Sequence, residues 1–223
     1  MPGKEHTRPG RMGRPSIAEA ATLSERILEE AVRLFFDQGF RATSVDMVAD
    51  AAGVTKRTLY ARYRSKAVLF EAAVSATIDM RLDALALLMP AEGDIRSRLV
   101  SVCTLLLDWL LMDRSVGMYR VVSAESRQFP ALARNIHSHG ARRAAGLIGD
   151  ALQEGVRKGE IEIDDIGFAA DYLTAAVIQY PFQQAVLGLV AARLDDATRH
   201  HIDQAVELFL AGTLPRGRRA EQP

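Results

Sequence analysis

Apolar residues recur at three- and four-residue spacing along almost the whole chain, and no stretch sustains a two-residue alternation. A period near 3.6 gives a helix one buried stripe, whereas a half-buried strand needs a period of two. Ile161-Glu162-Ile163 alternates but is too short to build a sheet. No repeat of fixed length is present, which argues against a solenoid. The expected fold class is all-α.

The helices can be placed one by one. Ile27, Leu28, Ala31, Leu34 and Phe35 form the stripe of a first helix beginning near Ser24, and Gly39 should stop it. Thr43 or Ser44 can cap a second helix whose apolar face is Val45, Val48 and Ala49. Ala52-Gly53 breaks it, and Thr55 caps a third short helix running to about Arg62. Ser65 caps a fourth that reaches Leu88 and is ended by Pro90. Further helices are expected near residues 94–112, 115–126, 130–157, 166–190 and 196–211, with breaks at Glu92-Gly93, Arg127–Pro130, Lys158-Gly159 and Arg193–Asp195. Pro181 falls inside the long eighth helix and should kink or open it.

At 223 residues with 48% hydrophobic content, the chain can bury a substantial core. No apolar run approaches the roughly 20 residues that span a bilayer. The first fifteen residues have no apolar stretch of the secretory kind. A cytoplasmic, nucleoid-associated location with no membrane partner is expected. The single cysteine, Cys103, has Val102, Leu105 and Leu106 around it and reads as a buried, inert thiol rather than a redox sensor.

The formal net charge is zero but unevenly spread. Residues 1–70 carry twelve Lys/Arg against eight Asp/Glu, and residues 71–223 carry sixteen against twenty. A basic front on an acidic body is what a chain meeting a polyanion needs. Residues 1–16 hold three prolines, three glycines and the cations Lys4, Arg8, Arg11 and Arg14. Arg11 and Arg14 could enter a DNA minor groove, or the arm could simply be solvated. The tail cations Arg216 to Arg219 read as solvated.

The segment from Thr43 to Phe70 carries the most chemistry. Two short helices joined at Gly53 make a helix-turn-helix, in which one helix crosses the DNA backbone and the next enters the major groove. The second presents Thr55, Lys56, Arg57, Thr58, Tyr60 and Arg62. Arg57 or Lys56 can donate to guanine, and Thr55 or Thr58 can touch a thymine methyl or a phosphate. Tyr60 can donate to a phosphate. Thr43 and Lys66, at the starts of the second and fourth helices, are expected as phosphate contacts.

These residues resemble a known family. Phe36-Asp37-Gln38-Gly39-Phe40, Thr43, Ala52-Gly53-Val54, Thr58-Leu59-Tyr60, Tyr63 and Ser65-Lys66 look like the TetR-type regulators over roughly residues 24–70. The resemblance implies phosphate contacts at Thr43, Tyr60 and Lys66, and base contacts from Thr55 to Thr58. Many members have glycine where Arg57 stands, so the base read there does not carry over. Ala67 replaces a frequent acidic residue. Tyr119 to Glu125, then Phe129 to Ala133, look like the AefR-like C-terminal domains.

The expected organisation is a basic arm at 1–16, a DNA-binding domain at 17–66, a larger ligand-binding and dimerisation domain at 67–214 and a basic tail at 215–223. An apolar effector pocket between helices could be lined by Trp109, Met112, Met118, Tyr119, Val122, Phe168 and Tyr172, though each also fits ordinary core. The last two helices are expected to pair two copies as a four-helix bundle. The faces would be Ala175, Ala176, Ile178, Gln179, Phe182, Ala185, Val186 and Leu189, and Ile202, Ala205, Val206, Phe209 and Leu210. His137 and His139 point to different sides of a helix, so no metal is expected, nor any cofactor. His200-His201 reads as surface.

The expected function is a dimeric, ligand-responsive repressor of a palindromic operator, with double-stranded DNA and a small-molecule effector as partners. Two alternatives stand beside it. A nucleoid-type protein would bind DNA without sequence preference. An all-α enzyme would need a nucleophile–base pair, phosphate loop or metal motif, and none is visible.

Overall fold

The computed structural model describes residues 17–89, 92–127 and 130–213, with side chains described in these segments except at 17–19, 131–133 and 135–139. The arm with Arg11 and Arg14, the basic tail, Pro90 and the side chains of His137 and His139 lie outside the described residues. Among the described residues every regular element is helical.

Helix α1 spans Ile17–Ala42, and its buried stripe includes Ile27, Ala31, Leu34 and Phe35. The stop expected at Gly39 is present as a non-helical residue (φ 84°, ψ 165°) inside this span, so the last turn is a separate piece beyond a kink. Helices α2 (Val45–Ala51) and α3 (Lys56–Arg62) follow. Ser44 Oγ accepts from the Met47 N–H, and Thr55 Oγ1 accepts from the Thr58 N–H. Each satisfies one of the donors that a helix start leaves open.

The turn between α2 and α3 needs its glycine. Gly53 sits at φ 62°. Its N–H donates to Asp50 O, and the Val54 N–H donates to Ala49 O at 2.9 Å. This is a Schellman close, and a Cβ at positive φ would strain it.

Helix α4 (Lys66–Leu87) is capped by Ser65 and buries Leu69, Phe70, Ala73, Val74, Ile78 and Leu82. Phe70 meets Phe35 edge-on at 4.8 Å and Phe40 at 5.1 Å, and these rings centre the N-terminal core. Helices α5 (Ile95–Leu110), α6 (Asp113–Glu125) and α7 (Pro130–Arg157) carry the core onward. Helix α4 packs on both α1 and α7, which makes it continuous with both halves of the molecule. Arg143 of α7 forks onto Asp79 and Asp83 of α4, fixing one helix against the other. Cys103 is fully buried, and that burial pushes its thiol up to about 12.

The eighth expected helix is three pieces. Helix α8 (Ile166–Thr174) runs into a π turn over Ala175–Gln179, then α9 (Tyr180–Val186). In π pairing a carbonyl accepts from the N–H five residues on. For Ala176 that residue is Pro181, which has no N–H. His201, on α10 (Asp196–Thr213), fills the gap with Nε2 3.0 Å from Ala176 O. A carbonyl can only accept, so the ring donates from Nε2. His201 is thus a half-buried stitch between helices and not a surface residue. The helix also ends at Val186, short of residue 190, with Gly188 at φ 73° beyond it.

The C-terminal stripe is turned differently from the expectation. Ile202, Val206, Phe209 and Leu210 are buried in the protomer's own core, as are Ile178 and Ala185. They face α5 and the π turn, whose apolar surface needs covering within one chain. Those residues are therefore not free for a second copy. The exposed stripe on this side is Phe168, Tyr172, Ala175 and Gln179, spaced four, three and four residues apart.

Candidate nucleic-acid interface

The two helices α2 and α3 form the helix-turn-helix expected from sequence. Val45, Val48, Ala49, Ala52 and Leu59 are buried between them and α1. With Leu59 inward, Thr55, Lys56, Arg57 and Tyr60 point outward and Thr58 is half-buried.

The outward residues are in different states. Thr55 caps α3, and its hydroxyl lies 2.8 Å from that of Thr58. Lys56 Nζ pairs with Asp46 of α2 at 2.9 Å. Arg57 is exposed and has no hydrogen bond or ion pair among the described residues. Tyr60 is 41% exposed.

Three expected DNA contacts make hydrogen bonds within the protein. Thr43 is buried, and its hydroxyl is directed at Leu34 O at 3.0 Å and Gly39 O at 2.9 Å. Gly39 O also accepts from the Thr43 N–H at 3.3 Å, so Thr43 closes the chain back onto α1 after the kink. Arg62 turns back to α1, where Nη1 donates to Ala20 O at 3.2 Å and to Ser24 Oγ. Lys66 Nζ donates to Phe40 O at 2.8 Å and Thr43 O at 3.0 Å, and sits 4.4 Å over the Phe40 ring. The carbonyl end of α1 is the negative end of a helix, which attracts that cation. These three side chains lock α1, α3 and α4 together. The sequence reading missed the partners, because each lies in a different helix from its donor or across a kink.

Two further charged residues also escaped the sequence reading. Arg41 Nε lies 3.1 Å from Oε1 of Glu125, the last residue of α6. Asp46 was not singled out, although it faces Lys56 across the turn. Neither pair has a local spacing that could have revealed it.

The seven residues proposed as a pocket lining do not converge. Trp109, Met118 and Val122 are buried in the core, whereas Met112 and Tyr119 are partly exposed. Phe168 and Tyr172 are 68% and 56% exposed and stack on each other outside α8, at 6.3 Å. Ala169, Ala170 and Leu173 take the inward side of that helix instead. A half-open cavity of about 170 Å³ lies elsewhere, beside the π turn, with Tyr180, Pro181, Gln184, Val190, Thr198 and His201 in its wall. It is smaller than the roughly 300–1,000 Å³ usual for a drug-sized ligand.

A capped, glycine-turned helix pair with an exposed arginine and tyrosine on its second helix, fused to a larger all-α body, defines a helix-turn-helix DNA-binding transcriptional regulator. Comparisons with known proteins narrow the class. Residues 27–73 match the model of the bacterial regulatory proteins of the tetR family. Residues 97–212 match the model of the AefR-like transcriptional repressor C-terminal domain. The chain belongs to the TetR family.

Its similarity to individual members ranges from the N-terminal segment alone to most of the chain. It is 26% identical to the HTH-type transcriptional regulator YvkB of Bacillus subtilis over 74% of this chain and 84% of that protein. It is 41% identical to the regulator AcrR of Shigella flexneri, over 26% of this chain and 27% of that one. Among solved structures, the flavonoid-responsive regulator FrrA superposes with a TM-score of 0.71 at 29% identity, covering 88% of this chain and 99% of the other. A TetR-family regulator from Mesorhizobium loti gives a TM-score of 0.78 at 23% identity, over 88% and 98%, and so shares the fold. Among the described residues no helix is long and apolar enough to cross a membrane.

Proposed function

We propose that this protein is a ligand-responsive repressor that binds a palindromic operator as a homodimer and catalyses no reaction. Exposed Arg57, near the front of α3, is the observation that carries the sequence-reading part. A free guanidinium at the groove-facing end of a recognition helix has the fork geometry for guanine O6 and N7. Thr55, Lys56, Thr58 and Tyr60 flank it, with Tyr60 assigned to a phosphate. Thr43, Arg62 and Lys66 are assigned to holding the reader's shape. The working division keeps the reader at 17–66 and the effector and dimerisation body at 67–214.

The exposed apolar surface of α8–α10 supports the dimer. Phe168, Tyr172, Tyr180, Leu187 and Leu208 are each more than half exposed, which is unusual for large apolar side chains clustered in one part of a protein. An isologous pair across this surface would bury them. A small organic effector is supported by the likeness to a flavonoid-responsive regulator. It would bind one conformation better and so change the spacing of the two readers.

Selection of bound duplexes from a random pool at fixed salt tests this reading. A palindromic winner with half-sites about 34 Å or a multiple apart is expected. Flat affinity across the pool would favour a nucleoid-type protein instead.

A further inference from the structure

We infer that Asp46 is a specificity determinant of the reader: it holds Lys56 as an internal partner and so withholds a cation at the front of α3 from DNA phosphates of any sequence. The inference rests on the DNA-reading function and goes beyond it.

Lys56 Nζ and Asp46 Oδ2 are 2.9 Å apart, and both side chains are 57% exposed, on the outward side of the helix pair. Lys56 is the first residue of α3. The positive end of the helix dipole makes that a poor place for a cation. Asp46 is in the first turn of α2, where a carboxylate is favoured by the same effect. The hydrogen bond to Asp46, followed by its charge, holds the Lys56 ammonium above its ordinary range.

The neighbouring cations are also bonded within the protein, one to a carboxylate and two to neutral oxygens. Arg41 is held by Glu125, Arg62 by Ala20 O and Ser24, and Lys66 by carbonyls at the end of α1. Residues 45–62 carry Lys56, Arg57 and Arg62 against Asp46 and Asp50, a net of only +1 (3 − 2). Binding to random DNA comes from cations that displace counterions from phosphates. With Arg41, Lys56, Arg62 and Lys66 engaged internally, fewer of the described cations are free to reach phosphates. Its affinity depends on base contacts such as those of Arg57. A phosphate approaching Lys56 must displace Asp46 and then lie beside its negative charge.

The test measures binding of the full chain to random-sequence duplex from roughly 50 to 200 mM salt, for wild type, Asp46→Asn, Lys56→Gln and the double variant. Each phosphate contact adds about 0.9 to the slope of log affinity against log salt. Asp46→Asn is expected to steepen the slope by about that amount and to tighten random-duplex binding several-fold at the low-salt end. Lys56→Gln alone should leave the slope unchanged, and the double variant should return to the wild-type slope. Asp46→Ser, which removes the charge with a different shape, should behave as Asp46→Asn does. A flatter slope for Lys56→Gln alone would place Lys56 on a phosphate already and overturn the inference. A steepening that persisted in the double variant would make the effect general charge and also overturn it. An unchanged Asp46→Asn would do the same. A wild type that enriched no duplex from a random pool, even at the low-salt end, would overturn the DNA-reading function itself.

Discussion

Arg41, at the end of the reader's first helix, places Nε 3.1 Å from Oε1 of Glu125, at the end of α6 in the larger body. The pair is lopsided. The Glu125 side chain is 9% exposed and that of Arg41 is 82% exposed. The second carboxylate oxygen, Oε2, is buried without a partner among the described residues. Arg41 is therefore the main compensation for a carboxylate taken out of water. Its removal should destabilise the chain by about 1–2 kcal/mol, below a fully buried pair because the guanidinium itself is wet. Glu125→Gln should rescue most of that loss, since a neutral amide does not need the cation. Denaturant unfolding of Arg41→Ala, Glu125→Gln and the double variant checks this. Additive losses would remove the dependence.

Arg57 is expected to read a base. Arg57→Ala should lower affinity for the selected operator by about 1–3 kcal/mol and relax the preference at one position in each half-site. Tyr60→Phe should weaken all duplexes alike, because a phosphate contact carries no sequence information. Competition binding with single-position operator variants separates the two. An Arg57→Ala protein with unchanged preference would assign base reading to other residues.

Lys66 tests the distinction between holding and reading. Its ammonium donates to Phe40 O in α1 and to Thr43 O just beyond it, so Lys66→Met removes one donor from each. A stability loss of about 1–3 kcal/mol is expected, with the salt slope of DNA binding unchanged. A flatter slope at full stability would return Lys66 to the phosphate contacts.

Cys103 should be unreactive in the folded protein. Burial pushes its thiol up to about 12, so the nucleophilic thiolate is scarce near neutral pH. Alkylation with iodoacetamide should proceed only after denaturant is added. Rapid labelling of the native chain would show that the helices around Cys103 open readily.

Local chemistry made much of the fold legible. Ser44, Thr55 and Ser65 cap the helices they were expected to cap, because a capping oxygen needs only the N–H three residues on. Gly53 was legible for the same reason: positive φ is a property of one residue. The stripe of α8 was not. Its sequence is apolar on two sides, and periodicity cannot say whether Ala169 and Leu173 or Phe168 and Tyr172 face inward. The smaller side chains went in because α7 packs closely there. Partners of the site residues were also hidden. Arg62 finds Ala20 across 42 residues and Lys66 finds Phe40 across 26. Only the folded arrangement of α1, α3 and α4 brings those partners within reach.

The aromatic pair on α8 gives the sharpest test of assembly. Phe168 and Tyr172 are exposed in the protomer, so Phe168→Asp and Tyr172→Asp together should cost the isolated fold little. In an isologous interface each aspartate meets apolar surface, and near the two-fold axis also its own copy. Such contacts are strongly unfavourable when desolvated. Sedimentation at micromolar concentration should therefore give a dimer for the wild-type chain and a monomer for the double variant, with the same helical circular dichroism. Operator affinity should fall with it, because one reader alone contacts one half-site and loses the benefit of linkage. A double variant that stays dimeric would move the interface away from α8 and leave the stacked rings unexplained.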